Sequence, residues 1–191
     1  MFYFCSMKSI GQRITFVDHA NKTTIVIDPE KKFWVNLMMG AWLAMWYVIG
    51  ITLIWAFNSL KLTDQEQIII VVSLAFWFYY AFRVTKAFLW LQYGKEKIKV
   101  DEVGLHIKKA ISNYGKSTVY YHENIKQITL IYPEPNSIQS VWESSPWING
   151  GERIQFEYLN KTIRFGKKIN PKDANVLLNL LVKRSREFIK K

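Results

Sequence analysis

The sequence has one cysteine, Cys5, and three separated histidines, His19, His106 and His122. A single thiol excludes an internal disulfide and a cysteine-based zinc site, and scattered imidazoles leave no cluster for another transition metal, so neither a metal nor any other cofactor is expected. The chain also lacks a P-loop, a GxGxxG or GxSxG turn, an HExxH helix and paired carboxylates in an apolar setting. Gly150 and Gly151 precede a strand pattern and no helix follows them, which argues against a phosphate cradle. With no recognisable catalytic set, the expectation is a non-enzymatic protein. Acidic residues are in short supply as well: 15 Asp and Glu stand against 26 Lys and Arg, for a formal net charge of +11. Hydrophobic residues make up 50% of the chain, too many for a disordered tail, and the mean hydropathy of -0.02 conceals how unevenly they are distributed.

Residues 33–57 read FWVNLMMGAWLAMWYVIGITLIWAF, without one charged side chain. A helix rises about 1.5 Å per residue and bilayer hydrocarbon is about 30 Å thick, so roughly 20 such residues suffice to cross it. Trp34 and Trp55 stand near the two ends, where interfacial aromatics belong. A second run, residues 68–90, is apolar through Phe82 before Arg83 and Lys86 appear. Both cations lie near the far edge of this span and can snorkel to the headgroups. The alternative for Arg83 is an inward-facing residue that handles anions or protons, although no intramembrane carboxylate is present to pair with it. Five Lys or Arg precede Phe33, Lys61 alone lies between the runs, and 18 follow Gln92. Both termini are therefore expected in the cytoplasm. The opening MFYFCSMK has no positive region ahead of an apolar stretch and is not expected to be a signal peptide. The excess of cations fits this topology and attraction to membrane lipids. Nucleic acid is not an expected partner, because the basic residues are dispersed along strands and a terminal helix.

Beyond Gly94 the long runs give way to short alternating segments, as in an antiparallel β domain. Ile98, Val100, Leu105 and Ile107 fall on one side of a hairpin turning at 101–104, with Lys97, Lys99, His106 and Lys108 on the other. Strands are expected at 117–122 and 125–132, and a second hairpin over 153–166 turns at Leu159 and Asn160. The two later histidines read as plain surface residues. A helix closes the chain, with Asn170 as N-cap, Pro171 at its first position and Asp173 in its first turn. Ala174, Leu177, Leu178 and Leu181 form its expected packing face. About six antiparallel strands and one C-terminal helix fit a pleckstrin-homology-like (PH-like) β barrel or sandwich, and other α+β meanders share that order. Ahead of the first apolar run, 13–18 and 23–28 make another hairpin. Two strands alone are marginal, so this hairpin is expected to dock on the later domain and extend its sheet.

Two sets of side chains are candidate contact sites. The 133–150 connection is long for a compact domain and carries Trp142 and Trp147. These two either cover one end of the barrel, anchor a protein partner, or insert at the membrane interface beside Trp90. The second set is basic. Arg83 and Lys86 at the membrane edge, with Lys97, Lys99, Lys108, Lys167 and Lys168 on strand and turn surfaces, are candidate contacts for anionic headgroups, a solvated charged face being the alternative. Gly40, Ala41 and Ala44 offer a small-residue surface for packing against a larger membrane protein.

IVIDP at 25–29 and KKFW at 31–34 lead into the first span, and YGKEKIKV at 93–100 with Gly104 and Leu105 follows the second. IQFEY at 154–158, TIRFG at 162–166 and the 174–181 helix complete the pattern. In this order and spacing the chain resembles an uncharacterised family of small bacterial inner-membrane proteins with two transmembrane helices and a bacterial PH-like domain. The layout is also similar to that of the photosystem I assembly proteins. The resemblance implies a membrane-anchored α+β architecture: a cytoplasmic N-terminal hairpin (1–32), a two-helix transmembrane hairpin (33–92) and a cytoplasmic PH-like domain (93–191). It implies no catalytic positions. The expected function is that of a non-enzymatic inner-membrane protein whose PH-like domain binds a protein partner or lipid headgroups in assembly, scaffolding or signalling. The alternative is an accessory subunit of a larger membrane transporter or enzyme complex.

Overall fold

A computed structural model describes residues 7–134, 136–145 and 150–189, so Cys5, most of the opening segment and Trp147 lie outside the described residues. The chain is α+β and divides into two compact units, one taking residues up to Glu30 together with those from Tyr93 onward, the other being Lys31–Gln92.

The first unit is built from both ends of the sequence. Strands β1 (Met7–Ile10), β2 (Ile14–His19), β3 (Lys22–Ile27), β4 (Gly94–Asp101), β5 (Gly104–Ile111) and β6 (Ser117–Tyr121) form one antiparallel sheet in that order. The sequence-distant pair β3–β4 matches Ile25 with Ile98 and Ile27 with Glu96. Its register follows from the period of two: Ile25, Ile98 and Ile107 form a cross-strand row on the inner face, and a slip of one residue would turn that row to solvent. A second sheet holds β7 (Thr129–Leu130), β8 (Glu152–Tyr158) and β9 (Lys161–Lys167). The final helix, α4 (Pro171–Ile189), buries Ala174, Leu177, Leu181 and Phe188 in the core with Ile154, Phe156 and Phe165. Leu178 is only half-buried, because it lies about 100° around the helix from Leu177, and Phe188 completes the packing stripe instead.

Three local features depart from the expected layout. The N-terminal segment supplies a third strand, β1, which folds back on β2 after a turn at Gly11, whose φ of 59° favours glycine. The expected 125–132 strand shrinks to β7, because four steps from Ile125 to Thr129 face only three from Tyr158 to Gln155. The extra residue is a bulge, and it interrupts the ladder. The 133–150 connection contains a helix, α3 (Ile138–Ser144), started by Ser137, whose side chain accepts a hydrogen bond from the Ser140 N–H at 3.1 Å.

The second unit is two helices, α1 (Phe33–Ser59) and α2 (Asp64–Tyr93), each long and apolar enough to cross a membrane. α2 begins four residues before the apolar run. The Glu66 carboxylate caps that end, accepting from the Thr63 N–H and hydroxyl, both at 2.8 Å, which is the carboxylate half of a capping box. Met39 and Leu43 pack against Val84 and Ala87. The indole N–H of Trp77 donates to the Trp46 carbonyl at 2.8 Å, and that of Trp46 donates back to the Trp77 carbonyl at 3.3 Å. Gly50 makes this approach possible, since any β-carbon there would overlap the Trp77 ring. Gly40 faces Phe88 inside the hairpin, which takes it out of the small-residue surface; Ala41 and Ala44 remain exposed.

Candidate functional site

Alternation along β4 and β5 turns Lys97, Lys99, His106 and Lys108 to the outer face of the six-stranded sheet, away from the core. Lys97 stands directly opposite Lys108, and Lys99 directly opposite His106. Like charges opposed across a ladder repel, so the Lys97–Lys108 pair raises the local potential where a counter-anion would lower it. Lys99 is neutralised by Asp101 at 2.6 Å, and the same carboxylate lies 3.1 Å from His106 Nε2. Lys108 donates to the Asn113 carbonyl at 3.3 Å, and Lys97 makes no ion pair among the described residues. Lys95, on the same face, pairs with Asp28 at 3.3 Å. The result is a basic field centred on Lys97 and Lys108, flanked by half-buried Val17, Val26 and Val119.

Asp101 also orders the turn beneath this field, accepting from the Val103 and Gly104 N–H groups at 3.2 and 3.1 Å. Burial raises its proton affinity, but the hydrogen bonds of Lys99 and Gly104 and the nearby His106 outweigh burial and hold the carboxyl below its ordinary value. His122 is not the plain surface residue expected of it. Its Nε2 lies 2.8 Å from the Asp101 carbonyl, which only accepts, so Nε2 carries the proton and Nδ1 accepts from the Ser185 hydroxyl at 3.0 Å. This ring ties the β4–β5 turn to α4.

Lys167 and Lys168 lie elsewhere, at the corner between β9 and α4. Two charged side chains from distant sequence hold the backbone of this corner. The Arg13 guanidinium donates to the carbonyls of Asp28, Lys167 and Lys168. The Glu96 carboxylate, only 1% exposed, accepts from the N–H groups of Gly166 and Lys167 at 2.7 and 3.2 Å through Oε2. Among the described residues its other oxygen has no hydrogen bond, and it pairs with Lys109 at 3.9 Å. Burial pushes the Glu96 carboxyl up, opposed by Lys109 and by the Gly166 and Lys167 donors. Burial likewise pushes Lys167 down to about 8, with Glu96 pulling the other way. The Lys168 ammonium is engaged by the Ser145 carbonyl at 2.8 Å, so neither lysine belongs to the outer-face field.

In the helical unit Arg83 is exposed, donates to the Tyr79 hydroxyl at 2.9 Å and lies over the Tyr79 ring. Lys86 is exposed one turn on. Trp142 lies on α3, exposed to 60%, beside Ile138 at 78% and Val141 at 66%. No family model, curated protein or solved structure matches this chain.

Proposed function

We propose that the chain is a non-enzymatic protein of the bacterial inner membrane whose cytoplasmic, PH-like β unit binds anionic lipid headgroups or a protein partner in assembly, scaffolding or signalling. The observation that carries this reading is the Lys97–Lys108 pair on an uncovered sheet face, a repulsive arrangement that an anion relieves. Two antiparallel sheets with one C-terminal helix support the PH-like assignment. The β3–β4 pairing supports the topology: a chain that enters a bilayer after β3 has to return to the same side to form β4, and two helices accomplish that. The 18 cations beyond Gln92, against Lys61 alone between the helices, support a cytoplasmic assignment for that side. Arg83 and Lys86, near the end of the second span, contribute further headgroup contacts.

The test is lysine acylation of the full-length protein in vesicles, read site by site by mass spectrometry. Lys97 and Lys108 are expected to be protected in anionic vesicles relative to zwitterionic ones, and to lose that protection at about 1 M salt, where the Debye length shrinks to roughly 3 Å. Equal labelling in both lipids would refute headgroup binding. A second reading, an accessory subunit of a membrane transporter or enzyme complex, is favoured by the exposure of Ala41 and Ala44 on α1. It requires a stoichiometric protein that stays bound in mild detergent and is lost in Ala41→Phe/Ala44→Phe.

A further inference from the structure

α3 is turned inside out for a helix on a soluble domain. One polar side chain reaches back to the strands: Glu143 pairs with Arg153 of β8 at 3.0 Å, and within the helix it accepts from the exposed Gln139 at 2.8 Å. Its apolar residues Ile138, Val141 and Trp142, at spacing i, i+3 and i+4, point to solvent. Seven residues are too few for a helix to persist by itself, so these attachments are what display the apolar face. An apolar stripe held outward in this way needs an occupant.

Connections within the β unit indicate which one. The carbonyl of Ser145, just past α3, accepts from Lys168, and the Lys168 N–H donates to Gly151 at 2.8 Å. The same corner is held by Glu96, three residues after α2 ends at Tyr93, and by Arg13, whose Nε donates to Asp28. Asp28 is separated from the start of α1 by residues 29–32 alone, a tether of roughly 18 Å at full extension. α3 is thus attached at the strand ends that hand the chain to one apolar helix and receive it from the other. Trp, Ile and Val are the side chains an interfacial helix buries, and Trp favours the headgroup level.

We infer that α3 is a membrane-interface anchor, inserting Ile138, Val141 and Trp142 into the headgroup and acyl boundary of the bilayer that α1 and α2 cross. The inference rests on the membrane-spanning reading of α1 and α2. It differs from the lysine field in kind: α3 contains no Lys or Arg, so its insertion is driven by apolar burial and persists in high salt.

Spin labels in the full-length protein, reconstituted in vesicles on a Cys5→Ser background, test it through collision with oxygen, which partitions into lipid, and with a water-soluble nickel chelate. Val141→Cys and Ile138→Cys report on α3, Met45→Cys on the exposed side of α1 and Lys161→Cys on the β8–β9 turn. The expected result is a shift of the oxygen-to-nickel ratio at 138 and 141 away from that at 161 and toward that at 45, unchanged by salt. If 45 reads as lipid and both α3 positions match 161, α3 is not an anchor while the spanning reading stands. If 45 also matches 161, both fail.

Discussion

Ionising a carboxyl as deeply buried as Glu96 costs desolvation that Lys109 and two backbone N–H groups offset only in part, so the folded unit holds the Glu96 proton more firmly than the unfolded chain does. The sign follows: folding is favoured as pH falls from the raised value toward the ordinary 4.5, and that contribution is lost as pH rises again. Melting curves in detergent should therefore show the native protein gaining stability over Glu96→Gln as pH is lowered from neutral toward 4.5, whereas parallel curves would contradict the assignment. Arg13 satisfies three carbonyls in the same corner. Arg13→Ala is expected to destabilise the unit by about 2 to 3 kcal/mol in chemical denaturation, the cost of leaving such acceptors unpaired. Part of this corner is readable in the sequence. Once Ile98 and Val100 are assigned inward, a period of two puts Glu96 on the core side. Gly166, which donates to it, and Arg13, which holds the same corner, lie about 70 and 80 residues away, and no local pattern announces them.

At the scale of elements, legibility follows the length of the repeating signal. The uncharged 33–57 run and the alternations flanking 101–104 and 159–160 identify α1 and both hairpins, because each pattern repeats long enough to exclude the other periods. The bulge beside β8 leaves no such trace, since it exists only in the pairing of two strands. α3 has a signature that is easily passed over: Ser137 as a cap, then Ile138, Val141 and Trp142 at helical spacing, inside a segment whose prolines suggest a loop. The helical hairpin makes its own prediction. Gly50→Leu drives a side chain into the space of the Trp77 ring and breaks the reciprocal indole bonds, for an expected loss of about 1 to 3 kcal/mol. Trp77→Phe keeps a smaller aromatic ring that still fits beside Gly50 and removes one donor, so it should cost less. Unfolding titrations in mixed micelles that rank the two variants the other way would refute the close-approach account.

For the whole molecule the decisive feature is that one β unit is assembled from both sides of a helical insertion, with β3 and β4 paired across more than 60 intervening residues. The sequence makes this reachable, because two strands at 13–28 need a partner and the cation count leads one to expect the later strands on the same side. Pairing of that kind is compatible with a bilayer only if the insertion crosses it an even number of times. The most direct measurement is labelling with a membrane-impermeant maleimide, again on a Cys5→Ser background, at Lys61→Cys between the helices and at Lys161→Cys on the β8–β9 turn. The proposed topology predicts that position 61 reacts in intact spheroplasts and that position 161 reacts only after the membrane is opened. Reaction of both positions from the same side would contradict it.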